Sequence, residues 1–388
     1  MNETAVTMDD DRKLHALRRR FPHTRTQIYL NHAATGPLSR PVVQAVRRYL
    51  QQRYIGPIDN YEELAPIIDE TRRLVATVLG TTPDRIAFAP NTSSALGLLA
   101  QGIDWRPGDR IAIPACEFPA NVYPFMNLQH RGVQIDWIPH REGTFTVEDV
   151  ARALTPRTRL VTLSWVQFLS GFRADLAQIA ACCHERGVWV SVDAIQGLGA
   201  LPIDVEATGI DLLAAGTHKW LMGLQGLAVC YVRPELQEVL RPPAGWLHGP
   251  VDWNRFFDYR LEFYPDARRY ETGTPNQAAI VALHAALKQY LALGMDWCAR
   301  RVLALRRQLA DGLRRLGLAR YGTDDPAHAS GIVTVRHPQA EALAAFLKAQ
   351  RIIASVRNGM LRFSPTYYNT AEEIDRTLET VAEGLRRI

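Results

Sequence analysis

The sequence predicts an α/β fold: a large domain on a mostly parallel seven-stranded sheet, followed by a smaller α+β C-terminal domain. Three observations lead there. Apolar runs recur at about 85–89, 110–113, 133–138, 159–164, 188–193, 210–215 and 226–232. Helical patterns at about 92–102, 119–131, 147–154 and 174–186 separate most of the earlier runs, as parallel strands with helices on both faces require. Strands and helices then resume in a shorter C-terminal stretch after an irregular connection.

Taken in order, residues 1–26 form a polar, Arg-rich arm, helical over about 10–20. A short strand at 28–30 leads into Asn31-His32-Ala33-Ala34-Thr35-Gly36-Pro37, a loop of small residues and turn formers whose backbone can be approached closely. Helices follow at about 40–53 and 61–79, the second with Leu64, Ile67, Ile68, Leu74, Val75 and Val78 on one face and Gly80 as its cap. The pattern breaks over 234–265, where prolines alternate with Trp246, Trp253, Phe256, Phe257 and Phe263. Two long helices are expected at 276–293 and 296–316. The C-terminal part reads as strand 331–336, helix 338–350, strands 352–356 and 360–364, and helix 370–386. The expected division is an arm at 1–26, a large domain at 27–265 and a small domain at 266–388 with a contribution from the N-terminal segment.

Composition excludes several classes. The net charge is +5, but the 45 Lys and Arg are spread along the chain without a block of like charge, so nucleic acid is not an expected partner. No apolar run reaches ~18 residues, so no membrane span is expected. Residues 1–20 lack the apolar core of a signal peptide. The five cysteines are odd in number and form no CxxC, which fits reduced thiols, a cytoplasmic location and no metal site.

Chemistry gathers at the strand ends, where ligands bind in such sheets. The chain holds only four lysines, Lys13, Lys219, Lys288 and Lys348. Lys219 follows the 210–215 strand in Gly216-Thr217-His218-Lys219-Trp220. An amine, unlike a guanidinium, can lose its proton and form a Schiff base. The 85–89 strand ends in Asn91-Thr92-Ser93-Ser94 at a helix start, an anion site. Asp193 ends the 188–193 strand, and Phe118 follows the 110–113 strand. One crevice would thus hold an anion site, an aromatic face, a carboxylate and an amine, which match the phosphate, ring, pyridine nitrogen and aldehyde of pyridoxal 5'-phosphate. A nicotinamide site is not indicated: Gly197-Leu198-Gly199 lacks the third glycine and follows the aspartate.

Over about residues 25–386 the sequence resembles the class V aminotransferase family, fold-type-I pyridoxal-phosphate enzymes that include cysteine desulfurases, selenocysteine lyases and isopenicillin-N-epimerase-like proteins. Seven segments carry the resemblance in the family's order: 29–34, 91–93, 117–121, 192–196, 217–219, 271–276, and 361–364 ahead of 368–370. It implies Lys219 as the Schiff-base lysine, Asp193 at the pyridine nitrogen and Gln196 beside the phenolic oxygen. Thr92 and Ser93 would hold the phosphate, helped by Thr217 and His218. Thr274 would reach the phosphate of a partner subunit, which implies a homodimer with shared active sites. Arg362 would bind the substrate carboxylate, with Asn31, His32, Gln167 and Arg357 as further pocket candidates.

Two departures stand out. Phe118 occupies a stacking position that is often His in the family. The loop where desulfurases carry a catalytic Cys is here Ser355-Val356-Arg357-Asn358-Gly359-Met360-Leu361, with no Cys from residue 299 to the end. The expectation is an enzyme acting on an amino acid or amine through a Cα carbanion, of aminotransferase type. β-Lyase or epimerase activity is the alternative, and a non-catalytic cofactor-binding protein is the reading from another class.

Overall fold

The computed structural model describes residues 8–388; the first seven residues of the expected arm lie outside the described residues. Helix α1 (Met8–Arg18) leads to strand β1 (Ile28–Tyr29), then to helices α2 (Arg40–Ile55) and α3 (Tyr61–Leu79). The sheet region follows as β2 (Ile86–Ala89), α4 (Thr92–Gly102), β3 (Arg110–Pro114), α5 (Tyr123–Met126), β4 (Gln134–Ile138), α6 (Val147–Ala153), β5 (Thr158–Ser164), α7 (Leu176–His184), β6 (Trp189–Asp193), α8 (Val205–Thr208), β7 (Leu212–Gly216), β8 (Ala228–Val232) and α9 (Pro234–Val239). All seven expected strands are present in one sheet of order β2-β8-β7-β6-β5-β3-β4. Pairings from β7 to β4 are parallel; β8 runs antiparallel to both its neighbours. Every residue of β7 and β8 is buried, as a sheet covered on both faces demands.

The helix expected at 119–131 is broken into α5 and two 3₁₀ turns. Pro124 accounts for a break inside the expected helix, since a proline nitrogen cannot donate to the preceding turn.

The C-terminal part runs α10 (Gln277–Leu293), α11 (Met295–Arg315), β9 (Ala319–Tyr321), β10 (Val333–Arg336), α12 (Ala340–Ala349), β11 (Ile352–Ile353), β12 (Ser355–Arg357), β13 (Met360–Phe363) and α13 (Ala371–Arg387). Strands β12-β13-β10-β9 form an antiparallel sheet. β9 has no counterpart in the sequence expectations. The single strand expected at 352–356 is two: β11 pairs in parallel with β1, while β12 turns to pair with β13.

The expected boundary at 265/266 does not follow the packing. Helix α10 lies on α2 and α3, and its Ile280, Leu283 and Leu287 enter the core beneath the large sheet. The core of the small sheet begins farther along α11, at Leu305 and Leu309, and takes in Ile28 and Leu30. An amphipathic period marks a buried face but not the partner that buries it. Among the described residues, no single helix is long and apolar enough to cross a membrane.

Candidate active site

Lys219 sits in a loop held shut by its own backbone. Thr217 N donates to Leu227 O (3.0 Å), Gly223 N to Thr217 O (2.9 Å), and Thr217 Oγ1 to Leu224 O (2.8 Å). The 31–37 loop closes the other side, with Gly36 N donating to His218 O (2.8 Å). Among the described residues the lysine ammonium makes no hydrogen bond or ion pair, and it faces the Phe118 ring, 5.8 Å from its centroid. Burial pushes its pKa down to about 8, with Arg362 and Arg357 adding repulsion against the pull of Asp193.

Asp193 ends β6 and is 2% exposed. Oδ1 accepts from Ile195 N (2.9 Å), while Oδ2 accepts no hydrogen bond from the described residues. Burial pushes its pKa up to about 7, and the negative Glu117 adds to that. Glu117 is held next door: it accepts from Ser164 N, Ser164 Oγ and Gln167 Nε2, each at 2.6 Å. Ser164 is the parallel-sheet partner of Asp193. Burial raises the Glu117 pKa against these hydrogen bonds.

The anion end is built on α4. Asn91 caps the helix by accepting from Ser94 N (2.8 Å), which leaves the Thr92 and Ser93 amides without helical partners. Thr92 Oγ1 accepts from Gly216 N (2.9 Å), so helix start and lysine strand are joined. A Cβ at Gly216 would lie 3.2 Å from Thr92 Oγ1 and 3.3 Å from His218 Cε1, which places that imidazole at the same end. Burial and Lys219 lower the His218 pKa, so its ring is neutral near pH 7.

On the opposite side, Phe118 packs edge-on to Phe168 (5.3 Å). Phe168 O accepts from Arg362 Nη1 (2.7 Å). Arg362 is 2% exposed and its Nε has no hydrogen bond. Asn358 (φ 48°) and Gly359 (φ 70°) form the two-residue turn between Arg357 and Met360. Two consecutive positive φ values are what such a hairpin needs, and Asn-Gly supplies them.

The remaining candidates divide. Gln196 brackets the crevice: Nε2 donates to Ala33 O (3.0 Å) and Oε1 accepts from Trp220 Nε1 (3.1 Å). Gln167 and Asn31 each leave a buried carbonyl oxygen, Oε1 and Oδ1, without a partner. His32 is a correction. It is fully buried, with Nδ1 on Ser364 O (2.9 Å) and Nε2 on Tyr368 OH (2.7 Å), and burial drives its pKa to about 3. Both ring nitrogens are spent on tying the 31–37 loop to the C-terminal segment, so none is left for substrate. Thr217 is a second correction: its hydroxyl is used by Leu224 and Leu227 carbonyls inside the loop, so it supports Lys219 and offers no donor to a phosphate. Thr274 is exposed. Trp246 lies by Gly273 and edge-on to Trp253 (6.0 Å). Sequence reasoning gave no role to Glu117 or Ser164, although Ser164 ends a strand and the strand-end rule covers it.

These residues fit pyridoxal phosphate. A buried carboxyl with one oxygen unpaired needs a cationic partner such as a protonated ring nitrogen. A lysine without a partner and with a depressed pKa suits an aldehyde. Free amides at the start of an eleven-residue helix suit a phosphate.

Comparison with known proteins agrees. The profile of the "Aminotransferase class-V" family matches residues 28–377. An uncharacterized aminotransferase, YcbU of Bacillus subtilis (strain 168), is 29% identical over 94% of this chain and 96% of its own length. A cysteine desulfurase of Klebsiella pneumoniae subsp. pneumoniae is 30% identical over 93% of each chain. The apo structure of a cysteine desulfurase from Thermococcus onnurineus NA1 superposes with TM-score 0.87 at 24% identity, covering 96% of this chain and 98% of that one, a likeness of fold. The chain belongs to the class V aminotransferase family, and it is a pyridoxal-phosphate-dependent enzyme of the transferase or lyase type.

Proposed function

We propose that the chain transaminates an α-amino acid, with Lys219 as the acid–base group and Arg362 as the carboxylate anchor. The single observation that carries this over a desulfurase reaction is the Asn358-Gly359 hairpin, which leaves no loop and no cysteine before Arg362. When bound, the cofactor supplies an aldehyde for the substrate amine and a ring that accepts electron density from Cα. The side chains do the rest. Lys219, with its pKa near 8, takes the Cα proton and returns it. Asp193 keeps a proton on the ring nitrogen. Thr92, Ser93 and His218 hold the phosphate, Phe118 covers one ring face, and Gln196 lies at the phenolic oxygen. Arg362 pairs its guanidinium with the substrate carboxylate.

The assembly is proposed as a homodimer in which Thr274 completes the partner's phosphate site. The exposed face of Trp253, Phe256, Phe257, Tyr259 and Leu261 supports it, because so much apolar surface asks for cover. Within the chain, the division we propose is an arm to residue 26, a large domain that includes α10, and a small domain starting inside α11.

β-Elimination is the second reading, supported by the likeness of fold to a protein named a cystine C-S lyase. Pure holoenzyme mixed with amino acids, with and without a keto acid, separates the two. Transamination converts the cofactor to its amine form, and a keto acid reverses this. Elimination leaves the cofactor band in place and releases ammonia with pyruvate.

A further inference from the structure

The β12–β13 hairpin carries two arginines and no acid to neutralise them. Ser355 lies opposite Arg362, and Arg357 opposite Met360. Directly opposed residues share a face, and every second residue returns to it. Arg357 and Arg362 therefore stand on one face as diagonal neighbours, roughly 7–8 Å apart in such a ladder. The two-residue turn at Asn358-Gly359 fixes that spacing.

Among the described residues, neither guanidinium has a counter-ion. Arg362 donates to Phe168 O and keeps a buried, unpartnered Nε. Arg357 is exposed and donates to Val356 O of its own strand (2.7 Å). Of the nearby acids, Asp193 attracts Lys219 and Glu117 accepts from Ser164 and Gln167; among the described residues neither forms an ion pair with these arginines. Both arginines repel the Lys219 ammonium, so three cationic side chains converge on one pocket. Such a pocket attracts anions, and each guanidinium offers a planar fork matched to a carboxylate.

We propose that the substrate is an α-amino acid with a second anionic group on its side chain, bound by Arg357 while Arg362 holds the α-carboxylate. This rests on the role of Arg362 given above. A neutral side chain would leave the Arg357 fork unpaired at the mouth, whereas a dicarboxylate fills both forks.

The test uses holoenzyme and unreactive acids: glutarate as the dicarboxylate and butyrate as the monocarboxylate, with binding followed by the shift of the cofactor band. Glutarate should bind about tenfold or more tighter than butyrate. Arg357→Gln should remove that margin by weakening glutarate, with butyrate changed by no more than about twofold and the cofactor band retained. Equal affinities in the wild type, or an unchanged margin in R357Q, overturn the proposal. Arg362→Gln separates the two layers. If it weakens both acids while R357Q weakens neither, only the present inference falls. If it weakens neither, the assignment of Arg362 falls and takes this inference with it.

Discussion

Gly36 and Lys219 meet backbone to backbone: a Cβ on Gly36 would lie 2.0 Å from the Lys219 carbonyl oxygen. The contact joins the N-terminal loop to the lysine loop, and the Gly36 N to His218 O hydrogen bond secures it. Gly36→Ala should therefore push the lysine loop aside. Overpacking of this kind costs about 1–3 kcal/mol. Thermal unfolding should show that loss, and the cofactor should dissociate faster than from the wild type. Unchanged stability and cofactor retention would mean the loops give way freely.

Asp193 makes the cofactor-free protein sensitive to pH. Its folded pKa near 7 lies above the unfolded value of 3.8, so folding takes up a proton between the two. Stability of the cofactor-free chain should fall as pH rises from about 4 to 7, and stay low above that. Asp193→Asn cannot ionise and should flatten this slope, leaving the cofactor-free variant a few kcal/mol more stable at pH 8. The same change should weaken cofactor binding, since the ring nitrogen loses its carboxylate. Denaturant titrations at several pH values read the first effect, and equilibrium dialysis the second.

Lys219 should titrate well below an exposed lysine. In cofactor-free protein, acetylation of Lys219 should rise with pH and level off above about 8. The sign follows from the reactive form being the neutral amine. Arg357→Gln removes a like charge and should move the Lys219 midpoint upward. Peptide mass spectrometry gives the curves for wild type and variant, and a wild-type Lys219 curve still rising above pH ~10 would contradict the account.

Gly359 has φ 70° and open space around its Cα. Gly359→Ala meets no clash, so its cost is backbone strain alone, about 1–2 kcal/mol. Binding of carboxylates should weaken as the two arginines shift, while cofactor affinity stays at the wild-type level. Loss of cofactor in this variant would show that the hairpin supports more than the substrate end.

Much of this was legible in the sequence, for identifiable reasons. Thr92, Asp193 and Lys219 each follow an apolar strand, and parallel topology brings strand ends together whatever their separation along the chain. The helix at Thr92–Gly102 carries its own start signal in Asn91. His32 was misread because its partners, Ser364 and Tyr368, are more than 330 residues away, and nothing local marks a histidine as a strut. Thr217 was misread because the Gly223–Leu227 turn that uses its hydroxyl looks like open loop in sequence. Glu117 stayed without a role because its meaning depends on Ser164 and Gln167, contributed by another strand and loop. The placement of α10 in the large core was hidden for the same reason: apolar periodicity does not name the surface it meets.

The most direct test of the central claim is borohydride reduction of the reconstituted protein, followed by mapping of the modified peptide. The account predicts that the reduced cofactor is attached at Lys219, and that Lys219→Ala folds but shows neither the attachment nor the visible band of the lysine-bound cofactor. A cofactor fixed at Lys13, Lys288 or Lys348, or a band that survives in Lys219→Ala, would contradict it.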